Sequence, residues 1–113
     1  MIDFNELEKL FQIIVSRKDS DPHKSYTAKL FAAGRHKIAQ KLGEESVELV
    51  IEAIENNKKD ATKESADLLY HLLVLWVDMD IDPMKVMEEL QSRNKKTGLE
   101  EKKSRKKLNK KDI

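Results

Sequence analysis

The sequence contains no cysteine. That excludes a disulfide framework, a thiolate metal site and a cysteine nucleophile. Glycine and proline are scarce, three and two in 113 residues, which argues against a β-sandwich or barrel and favours helices. The longest apolar stretch, near 68–77, is too short to span a bilayer. Asp3, Glu6 and Glu8 break up any N-terminal run that could pass for a signal peptide. A soluble cytoplasmic protein with no membrane partner is therefore the expectation. There is no glycine-rich phosphate loop, no Walker motif and no Ser-His-Asp pattern, and no internal repeat or convincing strand.

What the chain does hold is charge: 38% of residues are Asp, Glu, Lys or Arg, against 39% hydrophobic. A chain of this length implies one domain with a modest core. The net charge of +1 hides an imbalance. Residues 102–113 carry seven cations (Lys102, Lys103, Arg105, Lys106, Lys107, Lys110, Lys111) against Asp112, so the tail is +6 and residues 1–101 are −5. A basic tail can bind nucleic acid or anionic metabolites, but such a run is more often a solvated end, and no nucleic-acid partner is expected. Residues 1–101 are read as a single all-α domain and 102–113 as a basic C-terminal tail.

Helical periodicity runs through the domain. In 3–18, Phe4, Leu7, Leu10, Phe11 and Ile14 recur at helical spacing, and Asp3 with Glu6 resembles a capping box. Asp21-Pro22 signals a turn. Residues 25–33 form a short helix, with Ser25 or Thr27 as its cap and Gly34 at its end. Arg35 opens a long helix to about Asn57, interrupted by Gly43, where either close approach of a backbone or ligand or simple packing is the reason for glycine. A turn over 56–59 leads to Asp60 as the expected cap of the next helix, which runs to about Asp78. Its second half, LLYHLLVLWV, is apolar on nearly every side and must be covered on every side. A homodimer with 68–77 at or near the interface is the simplest cover. Asp82-Pro83 starts a last helix that ends near Thr97-Gly98. The fold expected is all-α, a four- to five-helix bundle completed by homodimerisation.

The chemistry concentrates in GEESVELVIEAIENNKKDATKESADLLYH, residues 43–71. Glu45-x-x-Glu48 and Glu64-x-x-Asp67 each put two carboxylates on one helix face. The 15 residues between them, 49–63, suffice to end one helix, turn and enter another. An antiparallel pair could bring all four together, and four ionised carboxylates cannot crowd without a cation. Residues 44–55 hold five Glu and no Lys or Arg, which is unusual for a solvated helix face of like charges. The candidate metal ligands are Glu44, Glu45, Glu48, Glu64 and Asp67. All are hard oxygen donors, suited to Mg²⁺ with Mn²⁺ as the alternative, and Mg²⁺ commonly brings a phosphorylated substrate. Arg35, Lys37 and Lys41 precede the cluster. Lys41 could meet a substrate phosphate or simply pair with Glu44 or Glu45. His71, four residues after Asp67, is either a contact near the site or, by preference, a satisfied core histidine. Tyr70 and Trp76 are most simply core or interface residues.

Four segments carry a resemblance: SYTAKLFAAG (25–34), HKIAQKLGEESVELV (36–50), ESADLLYHLLVL (64–75) and TGLEEKKSR (97–105). Together they resemble the phosphoribosyl-ATP pyrophosphatase family of histidine biosynthesis, within the all-α superfamily that includes MazG proteins and dimeric dUTPases. The likeness covers roughly residues 1–105 in order. It implies a MazG-like fold, a dimer, and hydrolysis of phosphoribosyl-ATP between its α and β phosphates to phosphoribosyl-AMP and pyrophosphate, the pathway's second step. Glu45, Glu48, Glu64 and Asp67 would be the catalytic Mg²⁺ ligands, with Glu44 completing the acidic pair. Ser25, Tyr26, Thr27, Lys41, Lys102 and Arg105 would bind substrate. With nothing preceding the domain, the stand-alone form is implied. Lys103 departs from the small residue common in the tail motif, and KKLNKKDI matches nothing in the family. The rivals are a MazG-like house-cleaning nucleotide pyrophosphatase and a non-enzymatic helical dimerisation module.

Overall fold

The computed structural model describes residues 2–94, which form five α-helices and no strand. Residues 2–81 belong to one compact unit and the chain from Asp82 to a second. The first unit holds α1 (Asn5–Arg17), α2 (Tyr26–Ala33), α3 (Arg35–Ile54) and α4 (Lys58–Asp78). In the second, α5 (Pro83–Asn94) is the described element.

Each helix boundary has a local cause. Asp3 Oδ1 accepts from the Asn5 N–H at 2.9 Å and starts α1. The expected capping box does not form, because Glu6 turns to Lys9 at 3.3 Å instead of reaching back. Ser25, in extended conformation, accepts from the Ala28 N–H and caps α2. Gly34, at φ 97°, both ends α2 and opens α3, a backbone geometry that a Cβ disfavours. At the end of α3, Asn56 adopts φ 56°. Its N–H and that of Asn57 return to the Ala53 and Glu52 carbonyls at 3.1 and 2.9 Å, a Schellman closure. The expected cap at Asp60 is displaced by one turn. Asn57 caps α4, accepting from the Asp60 N–H at 3.1 Å while its Nδ2 donates to the Asp60 carboxylate at 2.9 Å. Asn57 reaches the cap geometry first and leaves Asp60 inside the first turn.

α3 and α4 form an antiparallel hairpin, since the start of α3 meets the end of α4. There Arg35 clamps Asp78, Nε to carboxylate at 2.7 Å and guanidinium to the backbone carbonyl at 3.1 Å. α1 packs on α4, and α2 on α3. The core is Ile14 from α1, Leu30 from α2, Ile38 from α3, and Leu73, Val74 and Val77 from α4, with Phe11, Phe31, Tyr70 and Trp76 packed against it. Burying such an aliphatic side chain contributes about 1.5–3 kcal/mol.

The apolar second half of α4 finds most of its cover inside the chain. His71, Leu73, Val74 and Val77 are buried, Leu68, Tyr70, Leu72, Leu75 and Trp76 are half-buried, and Leu69 remains 42% exposed. A continuous open apolar stripe of this unit lies on α3, besides exposed apolar residues at the start of the chain and on α1 such as Phe4 and Ile13. Val47, Val50, Ile51 and Ile54 are 58, 54, 47 and 79% exposed, and their i, i+3, i+4, i+7 spacing puts them on one stripe. In the second unit, Asp82 accepts from the Met84 N–H at 2.9 Å and starts α5, where Met84, Met87 and Leu90 are exposed. The expected helix end at Thr97-Gly98 lies outside the described residues.

Candidate active site

The turn over Glu55–Asn57 folds α4 back along α3, so Glu64 arrives opposite Glu45 and Glu48. One carboxylate oxygen from each of the three lies within 4.8 Å of the others. Oε2 of Glu45, of Glu64 and of Glu52, a turn further along α3, is buried with no hydrogen-bond donor among the described residues. Buried acceptors without donors are costly, and three carboxylates this close repel one another. In the absence of a cation, the relief lies in protonation. The Glu64 pKa is pushed up to about 7 by the shared hydrogen bond with Glu45 foremost, then by burial and by Glu48. A hard divalent cation would satisfy the same oxygens by coordination. The donor set fits such an ion: oxygen only, convergent and short of partners.

The remaining expected ligands stand differently. Glu44 is exposed and turned aside. Gln40 donates to it at 3.2 Å and Lys41 pairs with it at 3.5 Å. The Gln40 hydrogen bond, opposed by partial burial and aided by Lys41, holds the Glu44 carboxyl below its ordinary range. Asp67 lies one turn beyond Glu64, exposed and outside the three-oxygen group. Its backbone, however, takes part. The Asp67 carbonyl accepts from His71 Nδ1 at 2.8 Å. A carbonyl can only accept, so Nδ1 carries the proton, and in the neutral ring Nε2 is left as an acceptor. Tyr26 O–H meets that nitrogen at 3.4 Å. His71 is thus a buried, satisfied histidine that also ties α2 to the acidic turn of α4.

The SYT segment meets α4 at two points. Thr27 Oγ1 bonds the Tyr70 hydroxyl, and Tyr26 stacks on Tyr70 with ring centroids 6.2 Å apart. Burial pushes the Tyr70 phenol above its ordinary pKa, and the Thr27 bond opposes this. Ser25 has its hydroxyl engaged as the α2 cap. Lys41 lies close to both Tyr26 and Glu44, which push its pKa up in that order, so it stands as a cation beside the cluster. A Cβ at Gly43 would meet nothing within 4 Å, so no described part of the chain demands glycine there. Lys102 and Arg105 lie outside the described residues. The Tyr26–His71 and Thr27–Tyr70 links have no signature in the sequence, because 45 and 43 residues separate their partners.

A helical hairpin that aims three carboxylates at one point, two of them with a buried oxygen lacking a donor among the described residues, with a lysine alongside, defines a class: all-α proteins with a carboxylate site suited to a divalent cation and an anionic ligand. The comparisons with known proteins narrow it. The sequence model of the phosphoribosyl-ATP pyrophosphohydrolase family matches residues 7–94. The chain is 57% identical over 103 residues to a phosphoribosyl-ATP pyrophosphatase of Paramagnetospirillum magneticum, covering 91% of this chain and 94% of that protein. It is 52% identical over 100 residues to the enzyme of the same name from Azospirillum brasilense, covering 88% and 90%. It is also 48% identical over 94 residues to the histidine biosynthesis bifunctional protein HisIE of Yersinia pestis, covering 83% of this chain and 46% of that protein. The chain belongs to the phosphoribosyl-ATP pyrophosphohydrolase family.

Proposed function

We propose that this protein hydrolyses phosphoribosyl-ATP to phosphoribosyl-AMP and pyrophosphate in histidine biosynthesis. The observation that carries this reading is the convergence of Glu45, Glu48 and Glu64, with a buried oxygen of Glu45 and of Glu64 lacking a donor among the described residues, in a chain of this family. Glu45, Glu48 and Glu64 would hold Mg²⁺, or Mn²⁺, with Asp67 and Glu44 completing the set. Bound there, the ion supplies positive charge to phosphate oxygens and acidifies a water.

The chain's own residues do the rest. The acidic face alone would repel a triphosphate, so Lys41 supplies the cationic group that the substrate meets beside it. Tyr26 offers an aromatic face, and its hydroxyl is oriented by His71. Ser25 and Thr27 hold the start of α2 in place through the cap and the Tyr70 bond, which sets where Tyr26 stands. Lys102 and Arg105 are assigned to substrate binding by their place in the family's tail motif. The protein is read as cytoplasmic. Among the described residues no helix is long and apolar enough to cross a membrane.

We further read the protein as a homodimer. The uncovered stripe Val47, Val50, Ile51 and Ile54 shares a helix with Glu48, so a partner seated there would lie beside the site. Exposed apolar patches of this kind mark interaction surfaces.

The test is an assay of purified protein for pyrophosphate release from phosphoribosyl-ATP and from a panel of ordinary nucleoside triphosphates, with and without Mg²⁺. Mg²⁺-dependent turnover of phosphoribosyl-ATP is expected. Turnover of the triphosphates alone would favour a house-cleaning pyrophosphatase, and no turnover of either would favour a non-catalytic module. Sedimentation of Ile51→Glu tests the dimer, which should fall to monomer mass while the helical signal is kept.

A further inference from the structure

Tyr26 faces two places. Its hydroxyl points to His71 and the carboxylate helix, and the residue also lines a hollow of about 510 Å³ formed with Pro22, His23, Lys24, Ser25 and Lys29. The hollow is open to solvent along one side. The hollow's wall is cationic. Lys24 and Lys29 are exposed, and neither makes an ion pair among the described residues. Asp21, the neighbouring acid, is turned into its own turn, where its carboxylate accepts from the His23 N–H at 2.9 Å. Its backbone carbonyl accepts from the Lys24 and Ser25 N–H groups at 2.9 and 3.1 Å, which fixes the direction in which this segment enters α2. The hollow lacks the carboxylates that mark the site on α3 and α4, so it suits a different part of a ligand.

We propose that this hollow is a second anion subsite, which takes the phosphate of the base-linked ribosyl group and so separates phosphoribosyl-ATP from ordinary nucleoside triphosphates. The inference rests on the functional reading above. A phosphoribosyl-ATP molecule is anionic at two ends, the triphosphate and the added ribose phosphate. The carboxylate cluster with its cation suits the first. The second needs its own cations, and the base between them needs a flat surface. Tyr26, 52% exposed and shared by both places, supplies that surface. A site that contacts the extra group strongly favours the substrate that has it over the analogue that lacks it. Lys24 and Lys29 are then specificity-determining residues, apart from the groups placed at the reacting phosphates.

The experiment uses the full chain and the variants Lys24→Glu, Lys29→Glu and their combination, all at exposed positions. In the double variant, KM for phosphoribosyl-ATP should rise at least about tenfold, the loss of a charge-assisted contact, with kcat within about twofold. Helical content and Tm should not change. An unchanged KM, or a fall in kcat alone, overturns the proposal, as does an equal rise in KM for nucleoside triphosphates if the protein turns them over. Independently of activity, ribose 5-phosphate titrated into isotope-labelled protein should shift backbone amides of residues 23–29, and the shifts should vanish in the double variant. If pyrophosphate shifts those amides and ribose 5-phosphate does not, the hollow serves the triphosphate end and the proposal fails. Should the protein not hydrolyse phosphoribosyl-ATP, the functional reading falls, and the ribose 5-phosphate titration still decides whether the subsite exists.

Discussion

The two halves of the α3–α4 hairpin use the same pair of helices for opposite ends. In the closed half, Ile38 packs with Val74 and Val77, Ile14 and Leu30 add a layer from α1 and α2, and the Arg35–Asp78 clamp fastens the edge. In the open half, α3 has no buried residue after Ile38. Its apolar stripe faces outward, and its inward face presents carboxylates to another carboxylate. Two helices cannot cover each other's full circumference, so a stable half needs a third layer. The closed half obtains it from its own chain. In the proposed reading, the open half receives it from outside, as a cation for the acids and a partner for the apolar stripe. Function sits where the fold is unfinished.

The largest effect expected from breaking this contrast is on catalysis. Glu48→Gln and Glu64→Gln should each reduce phosphoribosyl-ATP turnover by at least about 100-fold, since even groups outside a ligand shell typically cost about 10–100-fold. Neither should unfold the protein, because removing one of three crowded charges relieves repulsion. A steady-state assay run beside thermal melts of metal-free protein checks both halves of the statement. In the closed half the outcome reverses. Ile38→Ala should cost about 2–5 kcal/mol of stability by leaving a cavity, read from denaturant melts, while the turnover of the protein that remains folded stays near wild type.

The next effect sharpens the contrast through pH. Glu64 has an ordinary pKa of 4.5 when unfolded and about 7 in the folded, cation-free chain. Between those values the folded state binds more protons than the unfolded one, so stability falls as pH rises. The stabilisation is full below the unfolded value and is lost as pH climbs through the folded one. The Tm of metal-free wild type should therefore drop between about pH 5 and about pH 8 by more than that of Glu64→Gln. Mg²⁺ should restore it at pH 8 and do little at pH 5, where Glu64 holds its proton. Equal pH profiles for wild type and Glu64→Gln would show that the cluster does not store this repulsion.

The degree to which each half was legible follows from the range of the forces that make it. Carboxylate spacing is local: three residues on a helix set a shared face for Glu45 with Glu48 and for Glu64 with Asp67, but joining the two pairs takes the antiparallel hairpin, which brings Glu64 and not Asp67 into the three-oxygen group. Helix limits at Ser25, Gly34 and Pro83 are equally local. Asn57 and Asp60 both favour cap positions, and only the path out of α3 chooses between them. The apolar run of α4 announces burial but not its cover. α1, α2 and the first half of α3 bury His71, Leu73, Val74 and Val77, Leu69 stays exposed, and a further apolar stripe lies open on α3. Glu44 was grouped with the ligands by adjacency; in the cation-free chain its carboxylate is engaged by Gln40 and Lys41, four and three residues before it and so within reach along the helix.

The smallest effect concerns the junction that joins the two halves, where α2 meets α4 at Thr27–Tyr70 and Tyr26–His71. Its polar groups are partnered, unlike the carboxylates a turn or two away, so Thr27, Tyr70 and His71 should act by holding Tyr26 in place rather than by touching the ligand. A double-mutant cycle of Thr27→Val and Tyr70→Phe should give a coupling of about 0.5–1.5 kcal/mol in stability, the net value of one hydrogen bond. Both single variants leave one hydroxyl unpartnered, so each should be worse than half the double. Because Tyr26 leans on Tyr70, the same cycle read in KM should couple with the same sign, while kcat stays nearly additive. Coupling in kcat instead would mean that the junction reaches the reacting phosphates. The division between a finished half that positions and an unfinished half that reacts would then have to be drawn elsewhere on α4.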